Sequence, residues 1–174
     1  GYNLKPLDIQ ASIGRVQLSR LPEFTKARQA NWNYMRHGLE PFREWFEFSL
    51  PTHATGWHRG EFVWDASGCR SESSWFGFLL LVKSDAPFTR SELARELESK
   101  KIQTRMFFGG NLVRQPAFVE LKRNTPEAFR VVGDLHGADT IMNQTLFLGT
   151  YPGLSQKMLN YVIDSIAQFI KMRV

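Results

Sequence analysis

The chain has 174 residues, 43% of them hydrophobic and 22% charged, which is enough for one domain with a real core. Its longest apolar run, Phe76 to Val82, falls far short of the roughly 20 residues a membrane-spanning helix needs. The single cysteine, Cys69, excludes an intrachain disulfide and a multi-cysteine metal site.

The net charge of +5 favours anionic partners such as phosphates and nucleotides. Most basic residues are scattered and read as solvated surface; the densest group runs from Lys100 and Lys101 through Arg105 and Arg114 to Lys122 and Arg123. The first residues, Gly1 to Pro6, carry no apolar stretch and no small-residue cleavage site, so they are no signal peptide and a cytoplasmic protein is expected. The chain lacks an initiator methionine and enters a helical pattern within eight residues. It therefore reads as the C-terminal piece of a longer protein.

Residues 8 to 38 predict a helix. Asp8 is placed as its N-cap, and Ile9, Ile13 and Val16 keep helical spacing. Pro22 implies a kink or the first turn of a second helix, and Gly38 a C-terminal stop. Trp45 to Leu50 alternates as a strand ending at Pro51. Residues 51 to 73 read as a long loop with a short hairpin around Phe62-Val63-Trp64. Trp75 to Lys83 predicts a central strand, buried on both faces. Thr89 and Glu92 form a capping box for a helix that buries Leu93 and Leu97. Ile102 to Phe108 reads as a strand broken by Gly109-Gly110, followed by a loop with a helical turn around Pro116. A short helix over 138–143, a strand over 144–148 and an amphipathic helix over 154–172 complete the chain. The last helix is expected to turn Met158, Val162, Ile166 and Phe169 or Ile170 inward. The order is that of an α+β domain, a small, mostly antiparallel sheet with helices packed on one face. Residues 1–174 make a single domain, with 1–38 a long linking helix region and 39–174 the small α+β unit.

Little in the chain suggests self-contained catalysis. His53 and His58 are five residues apart, but no carboxylate near them has zinc-type spacing. No nucleophile elbow, phosphate loop or dinucleotide fingerprint is present. The segment that carries chemistry is Ile102 to Pro116. A strand ends in two glycines, which let an extended ligand approach the backbone, and then offers an amide and an arginine. Arg105 and Arg114 are suited to fork onto a diphosphate, and Asn111 to bond a sugar hydroxyl. A tight loop whose arginines pair with nearby acids explains the same residues equally well.

Gly1-Tyr2-Asn3 with Asp8-Ile9-Gln10-Ala11 resembles a signature of the DegT-type pyridoxal-phosphate sugar aminotransferase and dehydratase family. Ser74-Trp75-Phe76-Gly77-Phe78, Lys101-Ile102-Gln103-Thr104-Arg105, Phe108 to Pro116, Val132-Gly133-Asp134-Leu135 and Tyr151-Pro152-Gly153-Leu154 are similar to one subgroup above all. These are the NDP-4-keto-6-deoxyhexose 3-dehydratases, in particular the CDP-4-keto-6-deoxy-D-glucose 3-dehydrase type.

The resemblance implies the C-terminal domain of a fold-type I PLP/PMP enzyme of deoxysugar and lipopolysaccharide biosynthesis. Its reaction expels the 3-hydroxyl of a CDP-linked nucleotide sugar after pyridoxamine phosphate condenses with the 4-keto group. The histidine that replaces the Schiff-base lysine lies upstream of Gly1, so this fragment alone is expected to be inactive. Tyr2 and Asn3 are implied at the cofactor, Asn3 reaching the phosphate in the second subunit of a homodimer. Lys5 stands where many aminotransferase relatives have arginine, and with Arg105, Asn111 and Arg114 it is assigned to the substrate. A 2Fe–2S cluster with ligands outside this fragment, served by an iron-sulfur flavin reductase, belongs to the CDP-sugar type. No metal ligand, nucleic-acid partner or membrane contact is assigned to the chain itself. The alternatives are an NDP-sugar aminotransferase of the same family and a basic nucleic-acid-binding domain. The second requires aromatics interleaved with a basic face, whereas here they lie in apolar runs that read as core.

Overall fold

The computed structural model describes residues 5–174. One long helix, α1 (Asp8–Leu39), opens the fold. Leu7 is the residue before its first turn, and its backbone N–H donates to the Gln10 side chain at 3.2 Å, so the N-cap lies one residue earlier than Asp8. Pro22 does not divide the helix. It removes the N–H that the Leu18 carbonyl would accept, but both residues are exposed, so water takes that place at little cost. Gly38 is not a terminator either. It lies in the last turn because a Cβ there would press on the Ile163 side chain, where the last helix crosses.

The sheet has four strands, β1 (Phe46–Phe48), β4 (Gly77–Val82), β5 (Thr104–Met106) and β6 (Thr145–Gly149), in the order β1-β4-β6-β5 with every pair antiparallel. A separate hairpin, β2 (Ala54–His58) and β3 (Glu61–Trp64), occupies much of the stretch that reads as loop. Its turn residues Arg59 and Gly60 both have positive φ, 52° and 94°, the two-residue geometry that suits the twist of a hairpin.

The central strand alternates more than its sequence suggests. Phe78, Leu80 and Val82 are buried, whereas Gly77, Leu79 and Leu81 are half-buried. With Leu146 and Leu148 of β6, the buried set faces one core. Onto it pack Trp32, Met35 and Leu39 of α1, then Leu93, Ala94 and Leu97 of α2 (Arg90–Ser99), and Leu159, Ile166, Phe169 and Ile170 of α5 (Gln156–Lys171). Thr89 and Glu92 cap α2 reciprocally, as the pattern predicts. In α5 Ser155 is the N-cap, Leu154 packs against the core ahead of it, and Leu159 follows at the fourth helical position, a hydrophobic staple. Met158 faces out at 46% exposure, because Leu159 takes the inward place on that turn.

Two further helices, α3 (Pro116–Asn124) and α4 (His136–Gln144), contribute nothing to the main core cluster. The former is longer than a turn: Pro116 occupies its first position, where a missing N–H costs nothing. The latter runs directly into β6 and touches both β4 and β6. Among the described residues no helix is long and apolar enough to cross a membrane.

Candidate functional site

The face of the sheet opposite the core carries the segment of interest. Strand register sets Arg105 opposite Phe147, while its neighbours Thr104 and Met106 align with Leu148 and Leu146 of the core face. Arg105 is exposed and makes no ion pair among the described residues. Phe147, only 8% exposed, is the hub of a second aromatic group. The rings of Phe76, Phe108 and Phe107 stand 5.5, 6.1 and 6.3 Å from it. The strand stops at Met106, and Phe108 turns the chain with a φ of 50°.

From there the loop is tightly fastened. Gly110 has a φ of 60°, and a Cβ on it would collide with the Met142 side chain and lie 3.1 Å from the Met142 Cα. Its glycine is therefore required by packing against α4. Asn111 Oδ1 accepts from the Val113 N–H at 3.2 Å, capping a short 3-10 turn over Leu112–Arg114. The Gln115 side chain donates to the Gly109 carbonyl at 2.6 Å.

One acid gathers the rest. Asp139, in the first turn of α4, accepts from Asn111 Nδ2 at 2.8 Å and from Arg114 Nε and Nη2 at 3.2 and 3.0 Å. The hydrogen bond from Arg114, seconded by that from Asn111, holds the Asp139 carboxyl below the usual carboxylate range. Asn111 is buried, at 2% exposure, with both ends of its amide engaged inside the protein. The Arg114 side chain is 60% exposed. Spacing places Asn111 and Arg114 on one side of a single turn, but nothing in it singles out an acid 25 residues further on.

Lys5 is exposed, ahead of α1. Tyr2 and Asn3 lie outside the described residues. His53 Nδ1 meets Asp65 Oδ2 at 3.1 Å, and the Ser67 hydroxyl lies 3.3 Å from that same ring nitrogen. A catalytic triad needs serine and aspartate on opposite nitrogens, so this cluster fastens a loop. Hydrogen bonds from Ser67 and then His53 lower the Asp65 pKa. Cys69 is exposed, and no three metal-ligating side chains converge among the described residues. A mainly apolar groove of 620 Å³, between α5 and Lys101–Gln103, includes none of Arg105, Asn111, Arg114 or Asp139.

The architecture is one shared by solved nucleotide-sugar dehydratases and aminotransferases. The Escherichia coli GDP-4-keto-6-deoxy-D-mannose-3-dehydratase, solved with bound hydrated PLP, has this fold with a TM-score of 0.74. The likeness holds at 24% identity over 95% of this chain and 36% of that one. The aminotransferase from Psychrobacter cryohalolentis has the same TM-score at 17% identity, over 99% of this chain and 41% of that one. The chain belongs to the DegT/DnrJ/EryC1/StrS aminotransferase family, whose model matches residues 1–167. It is 40% identical over 169 residues to the lipopolysaccharide biosynthesis protein RfbH of Salmonella typhimurium, covering 97% of this chain and 34% of that protein. It is 36% identical over 170 residues to the dTDP-4-dehydro-2,6-dideoxy-D-glucose 3-dehydratase of Saccharopolyspora spinosa, covering 98% of this chain and 32% of that protein. The chain thus spans about a third of the length of the curated relatives it matches.

Proposed function

We propose that the chain is the C-terminal domain of a PLP/PMP-dependent NDP-4-keto-6-deoxyhexose 3-dehydratase acting in deoxysugar and lipopolysaccharide biosynthesis. The observation that carries the reading is the identity of 36–40% with RfbH and a 3-dehydratase across nearly the whole chain. Relatives are named for substrates linked to dTDP and GDP; the CDP-linked sugar proposed for this protein rests on the motifs around Arg105 and Arg114. In this reading the protein works in the cytoplasm as a homodimer.

The described residues do not fit the cofactor by themselves. No lysine or histidine among them is buried, so neither a Schiff-base lysine nor the histidine that replaces it in a dehydratase stands enclosed here. Cofactor, base and any 2Fe–2S cluster with its flavin reductase partner fall to the rest of the protein, with Tyr2 and Asn3 reaching the cofactor from this end. The cofactor, when bound, supplies the electron sink that makes loss of the 3-hydroxyl feasible.

The chain's own residues bind and orient the nucleotide sugar. Arg105, exposed, across the strand register from Phe147 and without an ion pair among the described residues, supplies a guanidinium, and Lys5 adds positive charge. Asn111, expected from the sequence to bond a sugar hydroxyl, instead shapes the loop from within, because both ends of its buried amide are taken by Asp139 and Val113, and Arg114 offers its exposed edge to the diphosphate. Reading the full-length protein upstream of Gly1 tests this. A histidine in place of the Schiff-base lysine supports the dehydratase. A lysine there makes the protein an NDP-sugar aminotransferase of the same family.

A further inference from the structure

The Arg114–Asp139 pair carries information that neither residue holds alone. A guanidinium has five N–H donors in a rigid plane. Asp139 takes the Nε donor and one on Nη2 through its two oxygens. Two donors on Nη1 and one on Nη2 remain, a second fork at the end of the side chain, and this side chain is 60% exposed. The carboxylate therefore fixes the plane and direction of the free edge. Asp139 is itself held: its backbone N–H donates to the Leu135 carbonyl at 3.0 Å, and its side chain is 24% exposed. The same carboxylate takes the buried Asn111 amide, so it ties the start of the loop, the 3-10 turn and α4 together.

We propose that Asp139 is a positioning residue for substrate binding, holding Arg114 by one edge so that the other meets the nucleotide diphosphate. The proposal rests on the reading of Arg114 as a diphosphate ligand. A cation loosely attached to a surface loop attracts phosphate without directing it. A planar fork oriented beforehand loses less freedom on binding. On simple charge grounds removal of Asp139 would tighten the hold on an anion. Loss of orientation acts in the other direction, and the proposal commits to orientation as the larger effect.

The test uses the full-length protein and calorimetric titration with CDP, dTDP and GDP. Arg114→Ala should weaken the best-bound nucleotide about ten- to a hundredfold. Asp139→Asn should weaken it about five- to tenfold, and Asp139→Glu should return it to within about threefold of the parent. In the Arg114→Ala background Asp139→Asn should change affinity less than about twofold, because its effect passes through Arg114. Unchanged or tighter binding by Asp139→Asn overturns the proposal. An equal loss in both backgrounds also overturns it, since Asp139 would then only support the loop through Asn111. A general folding defect produces that same equal loss and counts the same way. If Arg114→Ala alone leaves affinity unchanged, the reading of Arg114 falls and takes the proposal with it. If Arg114→Ala weakens binding but Asp139→Asn does not, only the proposal falls.

Discussion

The guanidinium of Arg36 lies 4.5 Å from the centre of the Trp57 ring and 4.1 Å from that of the Phe48 ring. Arg36 belongs to α1, Trp57 to the β2–β3 hairpin and Phe48 to the edge strand of the main sheet. The side chain is nearly buried and also pairs with Glu40 one turn on. Trp57 Nε1 donates to Asn33 Oδ1 at 3.3 Å, a second tie between hairpin and helix. A hairpin of two short strands is marginal in water alone, so these contacts explain why it stays folded against α1.

Arg36→Ala should therefore cost about 2–3 kcal/mol, from a desolvated cation–π contact and lost packing of the stem. Arg36→Lys should recover less than half, because an ammonium cannot stack its plane on aromatic rings as a guanidinium does. Thermal melts of the two variants beside the parent measure both effects. Equal stability of all three would mean that the hairpin is held by Phe62 and Trp57 packing alone.

Gly110 and Gly14 should respond oppositely to the same substitution. Gly110→Ala forces a side chain into the left-handed region and against Met142, at a cost of about 1–3 kcal/mol. Gly14→Ala lies in open space in the second turn of α1, inside the helix, and should stabilise by about 0.5–1 kcal/mol. Chemical denaturation resolves both signs.

Among the described residues four carboxylates have pKa values held below the ordinary range. Asp65 is lowered first by hydrogen bonds from Ser67, Glu92 by those from Thr89, Glu98 by those from Thr104 and Asp139 by that from Arg114. A carboxyl with a depressed folded pKa adds stability that is present above its unfolded value and lost as the pH falls through the folded one. The melting temperature should thus hold down to about pH 5 and fall below about pH 4. Thr89→Ala should make the acid loss shallower, since Glu92 then has less to lose; an unchanged slope would remove that capping pair from the explanation.

Ile9, Ile13 and Val16 are 75%, 59% and 50% exposed along α1, an apolar stripe that none of the described residues covers. The chain studied by itself should self-associate through it, most simply as a two-fold dimer. Light scattering over a wide concentration range checks this, and Ile13→Asp should abolish it. A strictly monomeric mass would contradict the expectation.

Local signals made much of this fold readable. Thr89 and Glu92 announce α2 because a capping box involves four residues and no distant partner. The apolar run ending at Val82 announces the central strand, of which Phe78, Leu80 and Val82 are buried against the core. Features set by distant partners were less readable. Gly38 suggests a helix end, but the arrival of Ile163 decides its role. Pro22 suggests a break, and exposure on every side lets the helix continue. Of the candidate site, Arg105, Asn111 and Arg114 stand out by type and spacing. Asp139 does not, since its importance arises only when α4 brings it under the loop.

The central claim is that this chain completes an enzyme that removes a sugar hydroxyl. The direct measurement is product analysis of the full-length protein incubated with pyridoxamine phosphate and CDP-, dTDP- or GDP-4-keto-6-deoxyhexose. The account predicts a product that has lost its C3 hydroxyl and gained no nitrogen. A 4-amino sugar with its 3-hydroxyl intact, formed when glutamate is supplied as amino donor, would contradict it and identify an aminotransferase instead.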